Sequence, residues 1–248
     1  MFSLEIECDQ ARRDWLLADL YDFDPAGVVE LDAARVRVFF DDTADRDQLL
    51  ARYPDAAIRV EEDRDWVGEA RAMLQPMPVG KRFFLVPEWR DDPAPEGRFR
   101  IQVNPGMAFG TGVHETTQLC LEALEEFVHP GTVVLDVGTG QGILARAARL
   151  LGAGTVIACD TDPVAIEIAG MGFVGSVDAV RSGSVDLVVA NISPEAIVQL
   201  APDFVRVCRV GGTILVSGFE LDETGQVSFA LPGVREVRQK GNWALAVA

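Results

Sequence analysis

The stretch Val133-Val134-Leu135-Asp136-Val137-Gly138-Thr139-Gly140-Gln141-Gly142 decides how this chain is read. An apolar run suited to a buried strand ends in a carboxylate, and a glycine-rich turn leads into a helix rich in Ala and Leu. The spacing is G-x-G-x-G, not the G-x-G-x-x-G of dinucleotide binders. A pyrophosphate needs a helix N-terminus open to an anion. With Asp136 just ahead of the turn, the sequence favours a ligand group that carries positive charge. A plain strand-to-helix turn is the alternative.

Downstream, Thr155-Val156-Ile157-Ala158-Cys159-Asp160 is a second apolar run ending in a carboxylate, 24 residues after Asp136. A carboxylate at the tip of the neighbouring strand can accept both hydroxyls of a ribose. Asp162-Pro163 then reads as the cap and first residue of a helix. The pair of acids suits S-adenosylmethionine, which has an ammonium, a sulfonium and no phosphate. Asp186-Leu187-Val188-Val189-Ala190-Asn191 places an amide at a further strand end, where it can accept from an amine or donate, or else serve as a turn residue. Phe173–Val174 and Thr213–Val216 are further short apolar runs, and such runs bury both faces, as parallel strands do. Val234–Gln239 and Trp243–Val247 flank Lys240-Gly241-Asn242 as an antiparallel hairpin. Only ten residues separate Asp162 from Phe173, which is short for a helix and its return.

Upstream lies Asn104-Pro105-Gly106-Met107-Ala108-Phe109-Gly110-Thr111-Gly112-Val113-His114-Glu115-Thr116-Thr117, a glycine-rich loop before a helix over Glu115 to Val128. A mobile linker would favour Ser and Gly over Met and Phe. Thr116 and Thr117 fall in the first helical turn, where they can cap the helix or hold a carboxylate. Lys81–Pro87 and Arg98–Val103 read as two strands of a hairpin around the polar tip Arg90 to Gly97. Before them, Asp63 to Leu74 reads as a helical connector, broken at Pro76 and Pro78. The first sixty residues alternate in the order β-α-β-β-α-β of a ferredoxin-like layer, with Phe2 to Cys8 as an edge strand and Asp9 to Leu20 as the first helix.

The chain has 248 residues, 48% of them apolar and 25% charged, the composition of a globular protein. Asp and Glu number 39 against 22 Lys and Arg, a net charge of −17. Such a balance repels nucleic-acid backbones and anionic lipid and attracts basic partners, or serves solubility alone. Acids outnumber bases 14 to 7 across residues 1–60. Cys8, Cys120, Cys159 and Cys208 are scattered singly, which argues against a disulfide framework or a Cys/His zinc site and fits a reducing cytosol. No uninterrupted apolar run suits a membrane span, and the start does not resemble a secretory signal.

Taken together, the loop 104–117, the segment 136–142 and Asn191-Ile192 resemble the ribosomal protein L-eleven methyltransferases, the PrmA family. The resemblance extends to Glu62–Trp66, Val86-Pro87-Glu88-Trp89 and Trp243, and the stretch Phe109–Thr117 is its most specific part. It implies an α/β fold: a class I methyltransferase Rossmann-like parallel sheet with a C-terminal antiparallel hairpin, plus a small N-terminal ferredoxin-like domain. It implies bounds of 1–62 for a substrate-recognition domain, 63–80 for a helical connector and 81–248 for the catalytic domain. The implied cofactor is S-adenosyl-L-methionine, contacted at Thr117, Gly138, Asp160 and Asn191, with Phe109, Gly140 and Asp136 beside them. Asn191 is the expected catalytic residue, orienting an amine, and His114 a second one, relaying a proton. The implied activity is methylation of amino groups, on lysine side chains or the N-terminal amine, of that basic ribosomal protein. A cytoplasmic monomer with no metal, no direct nucleic-acid contact and no membrane contact is expected. A related methyltransferase acting on another substrate and a non-catalytic binding module stay open on these residues, the second because the wall at Ala165–Gly172 is short.

Overall fold

Alternation along the central strands explains the continuous apolar runs. Val134, Leu187, Val189 and Leu215 face one hydrophobic core, and Leu135, Val188, Ala190 and Val216 face another. A sheet covered on both sides needs apolar side chains at every strand position. The computed structural model describes all residues except 9–15, 17–18, 21–22, 33, 61–74 and 105–113. They fall into two units, Met1–Met73 and Leu74–Ala248.

The first unit contains β1 (Phe2–Glu7), β2 (Gly27–Asp32), β3 (Arg35–Phe40), the helix α1 (Arg46–Arg52) and β4 (Ala57–Val60). The sheet order is β2-β3-β1-β4, antiparallel throughout. Phe2, Leu4 and Ile6 of β1 pack with Val36, Val38, Phe40 and Leu49. β1 is therefore an interior strand, not the edge strand expected. An interior antiparallel strand with one covered face alternates just as an edge strand does. Asp45 caps α1 by accepting from Gln48 N–H at 3.0 Å. The helix expected at Asp9 to Leu20 lies mostly outside the described residues, although Leu16 and Leu20 are buried in this core.

The second unit opens with β5 (Met77–Val79), β6 (Phe83–Pro87) and β7 (Phe99–Val103). The helical connector expected over 63–80 lies outside the described residues as far as Leu74, and its end is strand β5. Pro78 sits there on an edge strand, where a missing N–H is tolerated. β6 and β7 do not form the expected hairpin; they are parallel. The chain between them crosses back and is pinned by arginines. Arg100 donates to the carbonyls of Arg90 at 2.7 Å and Asp92 at 3.1 Å, and Arg98 to that of Phe83 at 2.7 Å.

Next come α2 (Glu115–Phe127), β8 (Val133–Val137), α3 (Ile143–Leu150), β9 (Thr155–Asp160), α4 (Pro163–Ala169), β10 (Phe173–Val174), β11 (Val185–Asn191), α5 (Pro194–Val207), β12 (Cys208–Glu220), α6 (Thr224–Ala230), β13 (Glu236–Lys240) and β14 (Trp243–Val247). The sheet order is β10-β9-β8-β11-β12-β14-β13. The strands from β10 to β12 are parallel, and β14 is antiparallel to both neighbours. The C-terminal hairpin was expected, and β14 is inserted between β12 and β13. β12 is far longer than the expected Thr213–Val216 and carries a bulge between Ser217 and Phe219. The short crossover after β9 is accommodated by the two-turn helix α4 and a two-residue strand. From β8 the chain steps outward to β9 and β10, then returns to β11 on the other side. That reversal opens a crevice at the carboxyl ends of β8, β9 and β11, where ligands of such sheets bind. Among the described residues no helix is long and apolar enough to cross a membrane.

Candidate functional site

The turn after β8 is shaped from beneath. Asp136 is fully buried, and its Oδ2 accepts from the Thr139 hydroxyl at 2.7 Å and from Ala145 N–H at 3.0 Å. Its other oxygen, Oδ1, is buried without a partner among the described residues. Burial pushes the Asp136 carboxyl up to about 6, against the pull of its two hydrogen bonds, and nearby Asp160 adds to the rise. Its placement differs from the expectation of a carboxylate facing a cationic ligand. Asp136 shares the parity of Val134, which faces the core beside α2 and α3. It ties the turn to the start of α3.

Above it, the N–H groups of Gly138 and Thr139 both donate to the Cys159 carbonyl, at 2.9 and 3.0 Å. Gly138 has φ +70°, and a Cβ there would collide with Cγ2 of Ile192. Gly218, at φ +104°, abuts the Ile192 carbonyl in the same way. Two glycines thus seat the residue that follows Asn191, and neither position accepts a side chain.

Asp160 ends β9 half-buried beside this turn. Its Oδ2 accepts from Gly140 N–H at 2.9 Å and its Oδ1 from Asp162 N–H at 3.0 Å. Each carboxylate oxygen keeps acceptor capacity for a further donor. Asp162 is the cap of α4, accepting from Val164 N–H at 2.8 Å.

On the opposite side of β8, Asn191 ends β11 and its Nδ2 donates to Oγ1 of Thr117 at 3.2 Å. Thr117 is fully buried in the first turn of α2. His114 caps that helix: its Nδ1 lies 2.8 Å from the Thr116 hydroxyl and accepts from Thr116 N–H at 3.4 Å. Its ring meets Trp243 edge-on, with centroids 4.6 Å apart. The geometry therefore supplies a cap where a proton relay was expected. Phe109 lies outside the described residues.

One residue of the crevice was missed in the sequence. Gln141, nearly fully buried in the glycine turn, donates from Nε2 to the Asn104 carbonyl at 2.8 Å and accepts at Oε1 from Asn104 N–H at 3.2 Å. Its only sequence signal is a long polar side chain among glycines.

The crevice thus joins a glycine turn, a strand-end carboxylate, a strand-end amide and a buried hydroxyl, and Arg146 donates to the Gln141 and Gly142 carbonyls of the turn. A family model described as "Ribosomal protein L11 methyltransferase (PrmA)" matches residues 30–245. The ribosomal protein L11 methyltransferase of Symbiobacterium thermophilum is 41% identical over 231 residues, which are 85% of this chain and 75% of that one. That of Pelobacter propionicus is 37% identical over 232 residues, 86% of this chain and 75% of its own. The crystal structure of a ribosomal protein L11 methylase from Lactobacillus delbrueckii subsp. bulgaricus superposes with a TM-score of 0.64 at 31% identity, covering 71% of this chain and 98% of that one.

Proposed function

Since the chain belongs to the ribosomal protein L11 methyltransferase family, we propose that it transfers methyl groups from S-adenosylmethionine to amino groups of ribosomal protein L11. Lysine side chains are the proposed acceptors, with the N-terminal amine as a further one. The observation that carries this reading is the Asn191–Thr117 pair, which sets an oriented amide at the mouth of the sheet beside the glycine turn.

The residues present suit the cofactor. Gly138 leaves a backbone surface that no Cβ interrupts. The Asp160 carboxylate, the Asn191 amide and the Thr117 hydroxyl are available to it, and the cation at the turn, Arg146, is taken up by the carbonyls of Gln141 and Gly142. When bound, S-adenosylmethionine supplies a methyl carbon activated by its sulfonium. In our reading Asp160 accepts from the ribose hydroxyls, the turn at Gly138 and Gly140 lies along the ligand, and Thr117 and Asn191 hold its amino-acid end. Asp136 supports the turn from below, and Phe109 stays a proposed contact.

Asn191 has the chemical role in this proposal. Its Nδ2 is engaged by Thr117, which fixes the amide plane and leaves Oδ1 to accept an N–H of the attacking amine. A lysine amine, with an ordinary pKa of about 10.4, must first lose a proton. Water takes that proton in this scheme, because the His114 ring is engaged as a cap. The displacement itself needs alignment and a dry site more than acid or base.

The first unit is proposed to recognise the substrate. The net charge of −17 supports a basic partner and opposes direct nucleic-acid binding. A monomer working in the cytoplasm, where ribosomal proteins are made, completes the proposal. Incubation with methyl-labelled S-adenosylmethionine and L11, native or with its amines acetylated, tests it. Label on native L11 only is expected; equal label on the acetylated protein would refute amine methylation.

A further inference from the structure

Gln141 occupies a position that the functional reading leaves unused. Its side chain is one of few buried polar ones in the second unit, only 5% exposed. Both ends of its amide meet the backbone of a single residue, Asn104, as donor to the carbonyl at 2.8 Å and acceptor from the N–H at 3.2 Å. This is the two-point pairing that a neighbouring strand would offer, supplied by one side chain at the end of β7. Asn104 is gripped from its other side as well, because its Nδ2 donates to Oε1 of Glu88, just after β6, at 2.8 Å.

We infer that Gln141 is a positioning residue for methyl transfer, fixing the glycine turn that carries the cofactor to Asn104 at the end of β7. The inference rests on the methyltransferase reading. The two sides of the crevice hold Asn104 and His114 separately. Asn104 is bound to the glycine turn through Gln141, and His114 heads the helix whose Thr117 meets Asn191. The clamp thus joins the end of β7 to the glycine turn. The chemistry requires glutamine here. Glutamate keeps the shape and one acceptor but sets a carboxylate oxygen against the Asn104 carbonyl. Methionine keeps the approximate volume and removes both bonds. Ordering effects of this kind are large, since a shift of about 1 Å can cost about 10²-fold in rate.

Two variants of the full chain test this. Gln141→Met should lower kcat about tenfold or more while the cofactor Kd changes by less than about threefold. Without cofactor, hydrogen exchange at the Asn104 amide should quicken at least about tenfold in the same variant. Gln141→Glu is the sharper probe. A buried carboxyl facing a carbonyl has a raised pKa, and once protonated it again offers one donor and one acceptor. Its kcat relative to wild type should therefore rise about fivefold or more as pH falls from about 8.5 to about 6, while the Asn104 amide stays protected. Asp136 titrates in both proteins and cancels in that ratio. A flat ratio for Gln141→Glu, an unchanged Asn104 exchange rate in Gln141→Met, or a lowered Tm with unchanged kcat would overturn the inference. No methyl transfer by the wild type would instead overturn the functional reading on which it stands.

Discussion

Replacing Asp136 by Asn should make the chain's stability depend on pH differently, by an amount that follows from its burial. The carboxyl is fully buried and raised from 3.8 to about 6. The folded protein therefore holds this proton more tightly than the unfolded chain does. The stabilisation is complete below pH 3.8 and is lost as pH rises through about 6. The gap corresponds to a few kcal/mol, of which about 1 kcal/mol is lost between about pH 5 and about pH 8. In Asp136→Asn the carboxamide oxygen can still accept from Thr139 and Ala145. Its nitrogen takes the place of the unpartnered Oδ1, at a cost of about 1–3 kcal/mol that does not vary with pH. Urea unfolding of both proteins at fixed ionic strength gives the difference directly. Variant stability minus wild-type stability should rise by about 1 kcal/mol over that range and level off above about pH 7. A flat difference would show that Asp136 is ionised throughout, and the burial argument would fail.

Other perturbations read the crevice itself. Gly138→Ala forces a side chain onto φ +70° and against Ile192, so it should cost at least about 1–2 kcal/mol in stability and raise the cofactor Kd more than about tenfold; unchanged affinity by calorimetry would detach the turn from the ligand. Asp160→Ala should weaken cofactor binding through the loss of two hydroxyl contacts worth at most about 1.5–3 kcal/mol each, with the circular dichroism of the fold retained. Asn191→Ala should lower kcat by about 10²-fold. Asn191→Asp should bind the cationic cofactor as well as wild type or better and still turn over slowly. A wild-type rate in Asn191→Asp, or equal losses of affinity and rate in both variants, would remove the catalytic assignment.

How far the sequence led is clearest strand by strand. The apolar runs at Val133–Val137 and Val185–Asn191 were legible because a doubly covered sheet asks for apolar residues at every position, and Asn191 ends the second of them beside the crevice. Pairing was less legible. β6 and β7 carry the same local pattern whether they run parallel or antiparallel, and the arginine contacts that hold the crossover are distant in sequence from what they bind. β1 looked like an edge because alternation reports covered faces and says nothing of how many neighbours a strand has. The burial of Asp136 was within reach, since strand parity with Val134 aims it at the helix layer. The capping by His114 and the Gln141 clamp were not, because each depends on a backbone group that only the folded chain brings near.

The central claim is that this crevice moves a methyl group onto amines of L11, with Asn191 orienting the acceptor. Intact-mass spectrometry of purified L11, incubated with S-adenosylmethionine and either the wild type or Asn191→Ala, tests it most directly. L11 should gain mass in whole methyl increments with the wild type, at sites mapping to amino groups, and about 10²-fold more slowly with the variant. If the wild type binds S-adenosylmethionine and leaves the mass of L11 unchanged, the account is contradicted.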